Sequence, residues 1–163
     1  MIKQFVSQGV CLKCQGCCRF KQEDSVWSPV LFNEEIEMLL KEGLSPALIS
    51  PHKKIRVASF SKEDIFICSL FNTEENKCKI YNFRPLECQL YPFVINRKDD
   101  KILLSLDLQC SFIAEKQKTE EFKEHVRYLA DLLNSPRYVE ILKNNFQIIQ
   151  TYPDVLDLCE LQI

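Results

Sequence analysis

Cysteine crowding constrains this chain more than any other feature: Cys11, Cys14, Cys17 and Cys18 fall within eight residues, and Cys68, Cys78, Cys88 and Cys110 follow, with Cys159 as the ninth. A thiolate is both a nucleophile and a soft metal ligand. The fold must therefore gather sulfur into disulfides, around zinc, around an iron–sulfur cluster, or into a redox site. Nine is an odd number for a disulfide framework. The opening residues carry no apolar signal-peptide core, and no apolar run reaches the roughly 18–20 residues that span a membrane. A soluble, cytoplasmic protein is expected, and a reducing compartment turns clustered cysteines toward metal binding or catalysis.

Formal net charge is −2, with basic and acidic residues interspersed. Nucleic-acid binders usually carry a basic stripe, so nucleic acid is not an expected partner; without a spanning run neither is membrane, and a protein partner is left open. Ionising eight thiols would take the charge from −2 to −10. Bound metal would offset most of that, helped by Lys13, Arg19, Lys77, Lys79 and Arg84 within a few residues of the cysteines.

The 163 residues suit one domain, since single domains run to roughly 100–200 residues. The expected class is α+β: a cysteine-cluster region over 11–113, built of loops and short strands with packed helices, followed by a helical segment over 114–163. Val26–Phe32 reads as a short edge strand around Pro29. Asn33 reads as the cap of a helix running to Leu40, stopped by Gly43. Ser45-Pro46 starts a second, short helix. Lys54–Phe60 and Ile65–Leu70 form a hairpin around Ser61–Asp64, with Cys68 near its end. A second hairpin joins Phe93–Asn96 to Lys101–Leu108, and Cys110 lies just beyond it. Helices then cover Thr119–Asn134 and Ser135 to about Ile149. Phe122, Val126, Leu129 and Leu133 form one packing face, and Tyr138, Ile141, Leu142 and Phe146 another.

Cys11, Cys14 and Cys17 are spaced so that one short loop can offer several sulfurs to a metal or cluster, and Gly16 eases the turn. Side chains of adjacent residues diverge in most backbone conformations, so Cys17 and Cys18 suit two neighbouring sites or one large cluster. The run is similar to a bacterial ferredoxin's up to Cys17, but that pattern needs a fourth cysteine three residues on, then proline. Eight sulfurs also divide into two four-cysteine zinc sites. His52 and His125 belong to no ligand-spaced pair and read as solvated or packing residues. Cys159 reads as a small buried residue.

Cys68-Ser-Leu-Phe and Cys78-Lys-Ile-Tyr81-Asn-Phe-Arg84-Pro85-Leu-Glu-Cys88-Gln-Leu-Tyr91-Pro92-Phe93, together with the opening motif, resemble the CxxCxxCC family over roughly 11–113. The resemblance implies that Cys11, Cys14, Cys17, Cys18, Cys68, Cys78, Cys88 and Cys110 are the metal ligands. It departs from many relatives at Cys110-Ser111-Phe112, where they read Cys-Pro-Gly. A related domain occurs in flagellin lysine N-methylase, which implies a link to an iron–sulfur cluster, S-adenosylmethionine and methyl transfer. Around the cysteines, Arg84 can donate to sulfur or to a carbonyl, Pro85 suits the start of a short helix carrying Cys88, and Tyr81 and Tyr91 can wall off solvent or pack in the core.

Three functions follow from these residues. One is a zinc module, chiefly structural, that contacts another protein. The second is an iron–sulfur protein with redox or transferase chemistry. With only Gly9, Gly16 and Gly43, the chain lacks a glycine-rich nucleotide cradle, so S-adenosylmethionine would need a site built differently or a partner. The third, thiol–disulfide exchange at Cys11–Cys14 or Cys14–Cys17, leaves most of the cysteines unexplained.

Overall fold

A computed structural model describes residues 2–14, 16–60 and 64–163. The class is α+β, and the chain divides into two compact units, Ser7–Gln89 and Met1–Val6 with Leu90–Ile163.

The first unit opens with α1 (Gln8–Cys14), a 3-10 turn over Gly16–Cys18 and β1 (Arg19–Phe20). Val26–Phe32 does not form the expected edge strand. Only Val30 makes a bridge, to Lys54, while Leu31 N–H donates to Lys53 and Pro29 accepts from Ile55 N–H. A loop thus satisfies this segment in place of a strand partner. Next comes α2 (Asn33–Lys41). Its cap is not Asn33, which lies inside the helix. Phe32 is the capping position, and the Glu35 carboxylate reaches back to accept from Phe32 N–H at 3.2 Å. Gly43 follows the helix with φ +87°, a conformation that favours glycine. Ser45-Pro46 opens a 3-10 turn over Pro46–Leu48, and the Ser45 side chain accepts from Ala47 N–H.

The expected first hairpin forms as β2 (Val57–Phe60) and β3 (Ile65–Cys68); residues 61–63 of its turn lie outside the described residues. The strands assemble antiparallel in the order β1-β3-β2. β4 (Phe71–Asn72) and β5 (Lys77–Cys78) make a two-stranded ladder, and the five-residue α3 (Leu86–Leu90) carries Cys88. Phe20, Leu31, Leu39, Ile55, Cys68, Leu70 and Phe71 form the buried core of this unit, with Cys18 packed against it.

In the second unit, β6 (Phe93–Lys98) and β7 (Lys101–Asp107) pair as the expected hairpin, its turn reduced to Asp99-Asp100 with Asp99 at φ 53°. α4 (Ser111–Lys116) precedes α5 (Glu120–Leu133), which Thr119 caps by accepting from Phe122 N–H at 3.2 Å. α6 (Pro136–Asn144) ends earlier than expected. Asn145 leaves the helical region and donates through Nδ2 to Ile141 O at 2.9 Å, so Phe146–Ile148 continues only as a 3-10 turn. Phe146 is therefore not on a core face; it is 50 % exposed, with the Arg97 guanidinium 4.0 Å from its ring centre.

The segment 114–163 is not helical throughout, because β8 (Val155–Glu160) adds a third strand against β7. Asp157 anchors it by accepting from Ser105 at 2.8 Å and from Lys98 at 2.7 Å. Packing around His125 fits the expected role of that residue: it is buried, with Phe5, Phe93 and Tyr128 at ring separations of 5.2, 5.4 and 5.6 Å.

Burial, with the charge of Lys3 adding, pulls His125 from 6.5 down to about 4. The unfolded chain therefore binds this proton more readily, so the stabilisation is complete above about 6.5 and is lost as pH falls toward 4. Urea unfolding should weaken by up to about 3 kcal/mol across that window. In His125→Phe that part of the pH dependence should vanish.

Candidate metal centre

Five short elements of the first unit carry its cysteines. Cys11 and Cys14 stand one turn apart on α1, half-buried and exposed respectively. The turn after them begins at Gly16, where an added Cβ would lie 3.5 Å from Cys14 Sγ. Its tight winding brings Cys17 and Cys18 together, with Sγ atoms 4.0 Å apart. Contrary to the expectation for adjacent residues, these side chains do not diverge.

Strand pairing brings in the next sulfur. Arg19 pairs with Ile67 and Phe20 with Phe66, so the register extended by one residue sets Cys18 opposite Cys68. On its other side Cys68 pairs with Val57, and it is buried. Cys78 pairs with Phe71 at the end of β5, and Cys88 is half-buried on α3, just after the buried Pro85. All nine cysteines are present as thiols.

Five of these thiols influence one another electrostatically. The Cys18 hydrogen bond holds the Cys17 thiol below its ordinary range, its own backbone amide and the Arg84 charge helping. The same bond pushes Cys18 up, reinforced by burial and by negative charge on Cys17, Cys68 and Cys88. The two thiols of this contact are thus shifted in opposite directions, Cys17 toward the thiolate and Cys18 away from it. Burial raises Cys68 to about 11 and pushes Cys78 and Cys88 up, while Arg84 works against the rise at Cys78.

Arg84 meets the second of its two expected roles, donating from Nε to the Tyr81 carbonyl at 3.1 Å, with its guanidinium 3.8 Å from the Tyr81 ring centre. Lys13's side chain lies outside the described ones. Tyr91 belongs to the second unit and donates to Asp107 at 2.9 Å. Cys110 belongs there too, buried and at the N-terminal cap of α4. Cys159 is half-buried on β8, opposite Leu104, and His52 is exposed.

Two acids near the site went unread in the sequence. Glu35 accepts from Leu86 N–H at 2.6 Å and Glu87 accepts from Val30 N–H at 2.5 Å. The only available signal was a glutamate at the third position of α2, as in a capping box.

A scan against family descriptions matches residues 10–125 to CxxCxxCC, a putative zinc- or iron-chelating domain. The chain belongs to the CxxCxxCC family. Searches of curated proteins and of solved structures returned no match. The CxxCxxCC donor set fits a soft or borderline cation in its chemistry, with Arg84 near Cys17 and Cys78 and Lys79 near Cys68 to favour thiolate. Among the described residues no three Cys, His, Asp or Glu side chains yet stand within reach of one ion. Among the described residues no helix is long and apolar enough to cross a membrane.

In metal-free protein, Arg84→Met should slow alkylation of Cys17 at neutral pH several-fold, because the cation that favours its thiolate is gone. Mass spectrometry of the labelled peptide reads this, and an unchanged rate would remove Arg84 from the site's electrostatics.

Proposed function

We propose that the protein chelates one zinc or iron ion through thiolates, Cys17 and Cys18 sharing the ion and two of Cys68, Cys78 and Cys88 completing a four-sulfur set. The supporting observation is the 4.0 Å contact between the Cys17 and Cys18 sulfurs. Zinc–sulfur bonds of about 2.3 Å put two sulfurs of a tetrahedron about 3.8 Å apart. Two cysteines also share each iron of a [2Fe–2S] cluster, whereas a [4Fe–4S] cube takes one cysteine per iron. A closed four-sulfur site is structural, holding short strands and a short helix that have little stability of their own. Four thiolates on a divalent ion leave a net charge of about −2, part of which Arg84 offsets.

The test is metal and acid-labile sulfide analysis of protein purified without oxygen or chelator. About one equivalent of zinc or iron without sulfide is expected, with loss in Cys17→Ser and in Cys18→Ser and retention in Cys159→Ser. Sulfide in step with iron would instead support the cluster and reopen electron or methyl transfer. Metal retained in both Cys17→Ser and Cys18→Ser would reject the shared ion. The same serine series extended to Cys11, Cys14 and Cys110 tests those sequence-derived ligands.

A further inference from the structure

Helix α3 has five residues, too few to hold a helical conformation alone. Its first amide, Leu86 N–H, has no partner within the helix. That amide donates instead to Glu35 Oε1 at 2.6 Å, across 51 residues of sequence. The other oxygen of the same carboxylate accepts from Phe32 N–H at 3.2 Å, so one side chain joins the start of α2 to the start of α3. Glu87, within α3, accepts from Val30 N–H at 2.5 Å, two residues before Phe32. The two acids thus cross-link the same two segments in opposite directions, and Cys88 is the residue after Glu87.

Burying such a carboxylate is costly. Glu35 is 7 % exposed, and burial, with the nearby Glu87 and Glu34 charges, raises it to about 8 despite its two amide donors. A leucine or methionine would pack in α2 without that cost, but neither could accept from Leu86 N–H. The carboxylate thus supplies the start of α3 with an acceptor that an apolar side chain could not.

We propose that Glu35 is a positioning residue for the metal centre, acting through the Leu86 amide to fix the helix that presents Cys88. This rests on reading Cys88 as a ligand, but the placement of Cys88 can be measured without any metal. The carboxamide of Glu35→Gln keeps an oxygen acceptor for Leu86 N–H, and Glu35→Ala removes it.

The experiment compares alkylation of Cys88 and Cys17, residue by residue, in metal-free wild type, Glu35→Gln and Glu35→Ala, then measures zinc affinity of each by chelator competition. In Glu35→Ala, Cys88 labelling should rise about ten-fold relative to Cys17 and zinc affinity fall about ten-fold, the scale seen when a group orienting a ligand is lost. Glu35→Gln should restore both to within a few-fold of wild type. Equal acceleration at Cys88 and Cys17 would mean general loosening and overturn the proposal, as would Glu35→Gln behaving like Glu35→Ala. If Glu35→Ala does not fold, Glu35→Gln still decides through its own Cys88-to-Cys17 ratio, a wild-type ratio supporting the proposal and equal acceleration of both overturning it. A wild-type protein that binds no zinc while the labelling ratios shift as expected would reject the metal reading and leave the positioning of Cys88 standing.

Discussion

Because Arg19 and Phe20 pair with Ile67 and Phe66, a cysteine from the chain's beginning is carried to one that lies 50 residues further on. Two hydrogen-bonded positions do this work, which is very short for a strand, so the pairing relies on packing. Phe20 is buried in the same core as Leu31, Leu39, Leu70 and Phe71, and Cys68 belongs to that core. Hydrophobic burial thus fixes the register, and the register fixes where sulfur emerges. A slip of one residue would turn Phe20 to the opposite face and move Cys18 away from Cys68.

Charge sets the second condition. Thiols held against an apolar core resist ionisation, which is why Cys68, Cys78 and Cys88 are all pushed up. The contact with Cys18 shifts Cys17 the other way, toward thiolate, and Arg84 favours that from the side. A bound cation would favour the remaining ionisations. Burial thus holds Cys68, Cys78 and Cys88 toward the neutral thiol, while Cys17 is shifted the other way.

Much of this was legible in the residues. Both hairpins were read from the residues, the first from β-branched and aromatic enrichment on either side of its turn, and Thr119, Ser45-Pro46 and Gly43 marked ends where the expected backbone appears. The cysteine spacing and the Arg84-Pro85 segment revealed the family. What escaped depended on distant partners. Glu35 does the capping work expected of Asn33, because its carboxylate also meets an amide 51 residues away. Val155–Glu160, Val-Leu-Asp-Leu-Cys-Glu, has no strand alternation, and it becomes a strand by pairing with β7. The Cys17–Cys18 approach comes from a tight 3-10 turn, which spacing alone does not disclose.

X-ray absorption at the metal edge of the anaerobically purified protein reads the local coordination directly. The account predicts a shell of about four sulfurs near 2.3 Å and no second metal close by. A metal–metal scatterer at short range, or a first shell dominated by nitrogen and oxygen, would contradict it.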